Sequence, residues 1–320
     1  MGSLRVWLID HDACLAFMRI ASLLPSATEI VYELGLGDEL IAVSHDCDYP
    51  PEVEKKVRLT AIDIDPARSS SREINDWVAS KVHTGSSVYH IDQSALTKAN
   101  PDLILTQELC EVCAPAFNEV QNACRILSGE RRIISLEPTS LDGILENIVT
   151  VGNATDRSKE AAETIDGLRK RTDRIRTITR SLTNNPEVFC MEWLDPMFVA
   201  GHWVPEMVQL AGGVDKLGPV HQPSTRIEIE QVSEYDPEII VLMPCGFSLE
   251  RTIQESKPYL KSKEWQRLRA VRRRKVFATN GSAYFNRPGP RIVAGLETLA
   301  EIIHPEAFQG IAPKDSYSPV

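Results

Sequence analysis

The sequence predicts an α/β protein: two Rossmann-like lobes with parallel sheets, joined by a single long helix, with a ligand cleft between them. Three observations carry this. In residues 19–152 short apolar strands alternate with amphipathic helical segments, the pattern of a parallel sheet covered on both faces. A charged, proline-free stretch follows at 156–183. The alternation then restarts from residue 186.

Residues 1–18 read as an N-terminal extension, with Met18 just ahead of the first regular structure. RIASLL (19–24) is strand-like. Ser26 stands three residues before Glu29, a capping box, and Ile30, Val31 and Leu34 give the following helix its apolar face. ELIAVS (39–44) is a second strand. Pro50 and Pro51 forbid further pairing, so 45–49 is a loop at a strand's carboxyl end. A third short strand is expected in 59–65, an exposed polar run at 69–71 and a short helix at 92–99. LILT (103–106) is a buried strand running into QELCEVCAP, where the next helix should begin. After a strand at 132–136, Thr139 or Ser140 caps a helix whose Leu141, Ile144, Leu145, Ile148 and Val149 follow the helical repeat.

The stretch 156–183, if helical throughout, is a rod of about 40 Å. Asn184, Asn185 and Pro186 end it. The second half offers a strand at 188–191, a helix at 204–210 stopped by Gly212 and Gly213, and YDPEIIVLMPCGF, an echo of NPDLILTQELC. A helix near 266–271 and a strand at 275–279 follow. Pro288 and Pro290 suit the start of a last helix, buried through Ile292, Val293, Leu296, Leu299 and Ile303. The domain plan is an extension (1–18), an N-terminal lobe (19–152), a bridging helix (153–185), a C-terminal lobe (186–310) and a tail (311–320) expected to fray.

Composition narrows the function. The 320 residues are 42% apolar and 25% charged, with a net charge of −10. That charge, with no segregated basic face, argues against nucleic acid. No apolar run is long enough for a membrane span. Asp10, His11 and Asp12 interrupt the N-terminal apolar residues, so no secretory signal is evident and a cytoplasmic location is expected, a periplasmic one only if the N-terminus is incomplete. The seven cysteines should then be mostly reduced. No phosphate-binding loop, nucleophile elbow or H-E-x-x-H is present.

Ligands of open parallel sheets bind beyond the strands' carboxyl ends. There this chain places His45, Asp46, Cys47 and Tyr49; Glu108, Cys110 and Cys113; Glu192, Trp193, Asp195, Phe198, His202 and Trp203; Cys245; and Tyr284, Phe285 and Arg287. Trp193 and Trp203 read equally as pocket walls or as core anchors. Arg287 with Arg291 either holds an anion or pairs with acidic neighbours. Cys110 and Cys113 form a C-x-x-C at an expected helix start, which favours thiolate. With Cys47 and Cys245 they would suit zinc or iron if the lobes converge. The competing reading is that they are small buried hydrophobes.

From 19 onward the chain resembles the class III periplasmic binding proteins, the iron-siderophore and cobalamin binders of ABC importers, and most of all their cobalamin-binding branch. The resemblance rests on the Pro-Ser-x-Thr-Glu turn, the Asp-Tyr-Pro-Pro loop, NPDLIL, the long helix, PMFVAG…LAGG, YDPEIIVL and YFNRPGPR. It implies a shallow cleft with little lobe closure. In it Asp46, Tyr49, Glu192, Trp193, Phe198, Tyr284 and Arg287 would contact a corrinoid or another metal chelate, with an importer permease as the possible partner, and the strand-end positions add His202, Trp203 and Phe285 to the ligand contacts. The alternative is a metal- or thiol-dependent enzyme, or a metal-handling protein, using the cleft cysteines with Glu192 or His202.

Overall fold

A computed structural model describes residues 17–84, 87–107, 117–125 and 131–320. The N-terminal lobe runs β1 (Ile20–Ser22), α1 (Pro25–Glu33), β2 (Leu40–Val43), β3 (Val57–Arg58), β4 (Thr60–Ala61), α2 (Ser71–His83), β5 (His90–Ile91), α3 (Gln93–Ala99), β6 (Leu103–Thr106), α4 (Phe117–Cys124), β7 (Arg132–Ser135) and α5 (Leu141–Ala154). Its main sheet is parallel throughout, in the order β3-β2-β1-β6-β7. The strand order reverses between β1 and β6, which puts a crevice beyond their carboxyl ends. Wholly buried strands such as LILT explain why apolar runs, not alternation, mark this sheet.

The bridging helix α6 is Ser158–Thr179. It packs on α5 from one side and on α7 (Val204–Leu210) and α12 (Ile292–Ile303) from the other, so it touches both lobes. Between them the C-terminal lobe runs β8 (Val188–Trp193), β9 (Phe198–Val199), α7, β10 (Thr225–Arg226), α8 (Ile229–Tyr235), β11 (Ile239–Leu242), α9 (Leu249–Lys261), α10 (Arg269–Arg272), β12 (Val276–Thr279), α11 (Gly281–Tyr284) and α12, then α13 (Pro305–Phe308) and β13 (Tyr317–Pro319). Its sheet order is β10-β9-β8-β11-β12-β13, with a parallel centre and antiparallel flanks. One apolar cluster runs through both lobes, from Ile30 and Ile148 through Ile165 and Leu168 of α6 to Met207 and Leu296. Among the described residues no helix is long and apolar enough to cross a membrane.

Four expectations need correction. Ser26 and Glu29 form no capping box: the residue before α1 is Leu24, with no side-chain cap, and Glu29 is engaged elsewhere. The tail does not fray, because β13 pairs antiparallel with β12 and Thr298 Oγ1 donates to the buried Ser316 hydroxyl at 3.1 Å. The third strand expected in 59–65 is only β4 there, paired with β5, while β3 just ahead of that range joins the main sheet, and the polar run at 69–71 opens helix α2 with a full capping box at Ser70 and Glu73. Helix α9 has no counterpart in the sequence reading. Helix α2 is mostly solvent-facing, and α9 hides its buried face in sequence because two of its buried positions are the polar Thr252 and Ser256.

Candidate functional site

The site is built where the carboxyl end of β2 meets the segment between α11 and α12. Arg58 Nη1 donates to the carbonyls of Ser44 (2.9 Å) and Cys47 (2.6 Å) and so fixes the loop beyond β2. Cys47 turns inward, its sulfur 3.1 Å from the Thr28 hydroxyl, and burial pushes its thiol pKa up. Asp46, Asp48 and Tyr49 are left exposed on the opposite side.

Two arginines reach this loop from the other lobe. Arg291, the residue before α12, donates from Nε and Nη2 to both oxygens of Glu29, at 2.9 and 2.6 Å. Glu29 is 4% exposed. Burial raises its pKa, while Arg291 and Arg287 oppose that rise. The Arg291 guanidinium also lies 4.0 Å from the Tyr49 ring centroid and 5.9 Å from that of Tyr284, in range for cation–π attraction to both. Arg287 holds both carboxylate oxygens of Asp48 and donates to the Asp46 carbonyl at 3.1 Å. Burial opposes its charge, yet Asp48 and Glu29 leave its pKa raised. Tyr49 remains 44% exposed and offers an aromatic face beside these charges.

Glu192 is the last residue but one of β8, where the strand order of the C-terminal lobe reverses between β8 and β11. Its carboxylate accepts from the Ser224 hydroxyl at 2.7 Å, and burial raises its pKa. Trp193 packs edge-on against Phe247, ring centroids 5.4 Å apart, and donates from Nε1 to the Asp195 carbonyl. Phe198 sits on β9 in register with Trp193. His202 has a left-handed backbone (φ 50°) and stacks on Trp203, and burial lowers its pKa. Trp203 and Phe285 are core residues rather than ligand walls, which corrects the expectation for both. Both are buried, and Trp203 Nε1 donates to the Phe285 carbonyl at 2.9 Å.

A second connection crosses the cleft from the excursion between β4 and β5, which pair antiparallel and carry α2 between them. Arg72 pairs with Asp195 at 2.9 and 2.6 Å. The Ser71 hydroxyl donates to Glu255 at 2.7 Å, and Arg251 Nη2 to the Ser69 carbonyl at 2.8 Å. Ile74 packs on the C-terminal lobe's own apolar cluster. Beneath α2 lies a groove of about 350 Å³ lined by Arg72, Asn75, Asp195, Met197, Arg226 and Tyr259, among others.

Of the residues expected at the site, the structure brings Tyr49 and Tyr284 to the Arg291 guanidinium, and Asp46 to Arg287. Glu192, Trp193, Phe198 and His202 belong to the framework of the C-terminal lobe. Glu29 and Asp48 were missed as cleft residues. An available signal was the position of Arg287 and Arg291 near a helix N-terminus, where the dipole disfavours cations. Such placement implies acidic partners, one of the two alternatives the sequence left open.

The expected metal centre is not supported. Among the described residues no group of three or more His, Cys, Asp or Glu could hold a metal ion. Cys47 is committed to the Thr28 hydroxyl inside the N-terminal lobe, away from the cleft surface. Cys245 is partly exposed, its backbone N–H bonded to the Glu192 carbonyl. Cys110 and Cys113 lie outside the described residues.

Two parallel-sheet lobes, a bridging helix and a polar cleft define a class of bilobal binding protein. A family model described as periplasmic binding protein matches residues 20–283, and the chain belongs to that family. The vitamin B12-binding protein of Vibrio cholerae serotype O1 is 28% identical over 285 residues, 88% of this chain and 87% of that protein. An ABC transporter substrate-binding lipoprotein of Bacillus subtilis, YvrC, is 23% identical and covers 91% of this chain and 81% of its own. Among solved structures, the periplasmic vitamin B12-binding protein BtuF of Vibrio cholerae superposes with a TM-score of 0.65 at 26% identity, covering 89% of this chain and 96% of that one. The periplasmic haem-binding protein RhuT of Roseiflexus sp. RS-1, at 21% identity, 91% and 99% coverage and a TM-score of 0.67, shares the fold.

Proposed function

We propose that this protein binds a corrinoid, or a closely similar metal chelate, in the cleft between its lobes. The observation that carries this is Tyr49: a half-exposed aromatic ring at the lobe boundary, backed by Arg291 and flanked by Tyr284. A planar macrocycle needs a flat apolar face to stack on and polar groups at its rim. Tyr49 supplies the first, and Asp46 with the Arg287-paired Asp48 the second. The relatives named as vitamin B12-binding proteins support the corrinoid reading. The lipoprotein relative named as an ABC transporter component favours an importer permease as partner. The enzyme alternative gains nothing from Cys47, whose buried thiol is held away from the thiolate form.

The test is a titration of the purified protein with cobalamin, cobinamide, haem and ferric siderophores, followed by tryptophan fluorescence and visible absorption. Saturable binding of a corrinoid supports the proposal. No response to any of the four chelate types rejects it.

A further inference from the structure

The cleft floor carries its positive charges in a form already spent. Arg287 is engaged by Asp48, Arg291 by Glu29, Arg72 by Asp195, and Arg251 by Glu255 together with the carbonyls of Pro66 and Ser69. Among the described residues, each arginine that reaches across the lobe boundary has a partner from the chain itself. The exposed charges left at the loop beyond β2 are carboxylates, Asp46 and Asp48.

We propose that Asp48 makes the cleft selective against ligands with free carboxylates. It occupies the Arg287 guanidinium such a ligand would need, so the site takes chelates whose side chains end in amides or esters. This rests on the chelate-binding reading above.

The pairing is asymmetric. The Arg287 side chain is 12% exposed and that of Asp48 65% exposed, so the cation is seated and the anion is the outer member that a ligand meets first. An incoming carboxylate must displace a partner tethered to the same chain, whose effective concentration is far above that of any free ligand. If it succeeds, Asp48 stays beside it as an unpaired like charge, with Asp46 two residues away, and repulsion of this kind suppresses wrong partners. An amide meets neither penalty. Its N–H groups donate to Asp46 or Asp48 and leave the Arg287 pair intact, and charge-assisted bonds of this type are the stronger class.

The experiment uses two probes with one ring: dicyanocobinamide, whose side chains are amides, and dicyanocobyrinic acid, whose side chains are free carboxylates. Each is titrated into the full chain by visible absorption, for wild type and for Asp48→Asn. Wild type is expected to prefer the amide form by about tenfold or more. Asp48→Asn should narrow that ratio by about fivefold, mainly by tighter binding of the acid. Wild type binding the acid as tightly as the amide overturns the selectivity, and so does an unchanged ratio in Asp48→Asn. Binding of neither probe overturns the corrinoid reading and the selectivity with it.

Discussion

Glu29–Arg291 and Arg72–Asp195 both tie the N-terminal lobe to the C-terminal lobe by paired N–H···O bonds, with distances of 2.9 and 2.6 Å in each case. Their surroundings differ. The first joins α1 to the start of α12 under the Tyr49 ring, with the Glu29 side chain 3% exposed. The second lies at the edge of α2, with the Arg72 side chain 63% exposed. Equal geometry therefore carries unequal energy. Removing one partner of a buried pair strands a desolvated charge, whereas water readily replaces either partner of an exposed one. The inner pair belongs to a boundary that the shared apolar cluster already closes. The outer pair is one of several contacts that fasten the excursion, beside Ser71–Glu255, Arg251–Ser69 and Ile74, so losing it alone disturbs little else.

The largest expected effect is at the inner pair. Glu29→Ala should cost about 3–5 kcal/mol in urea unfolding, because Arg291 loses its bidentate partner in a buried setting. A loss below about 1 kcal/mol would put the two contacts in one class.

Asp215 sharpens the point about burial, since it is a buried carboxylate without a cation. Its Oδ1 accepts from Leu217 and Gly218 backbone N–H groups at 2.9 Å, but Oδ2 has no partner. Burial raises its pKa from 3.8 to about 6, against the pull of those two hydrogen bonds. The folded state therefore holds this proton more tightly than the unfolded chain does. The resulting stabilisation is complete below the unfolded value and is lost as pH rises through about 6. Between about pH 4 and pH 7 the wild type should lose on the order of 2–3 kcal/mol relative to Asp215→Asn, measured as the difference between their unfolding free energies at each pH. Parallel pH profiles for the two proteins would contradict this.

The smallest effect is at the outer pair. Asp195→Ala should cost no more than about 1 kcal/mol, and salt should shrink even that. A loss of several kcal/mol, insensitive to salt, would show that α2 is structural rather than lightly fastened.

The parts of this architecture that announce themselves in sequence are those set by local pattern. The apolar strands, the Ser140 cap and the bridging helix do so, the last expected at 156–183 and found at Ser158–Thr179. Helix α2 is quieter because solvent surrounds most of it, and α9 because it buries Thr252 and Ser256 beside Leu249 and contains Pro258. The cleft was half legible. Strand ends located the loops that carry Asp46, Tyr49 and Arg287, but not the direction of each side chain. Cys47 and Trp203 point into the core from the same kind of position. Glu29 looked like a capping residue because its true partner, Arg291, lies 262 positions away. No local pattern reports a pairing of that range.

The central claim is that a chelate stacks on Tyr49 between the lobes, and a paired titration tests it most directly. Cobinamide is titrated into wild type and Tyr49→Ala, with unfolding curves recorded for both. Tyr49 is half exposed, so its truncation should leave stability within about 1 kcal/mol while weakening cobinamide by about tenfold, as expected when an aromatic anchor is lost. Equal affinity in the two proteins, at equal stability, would contradict the account.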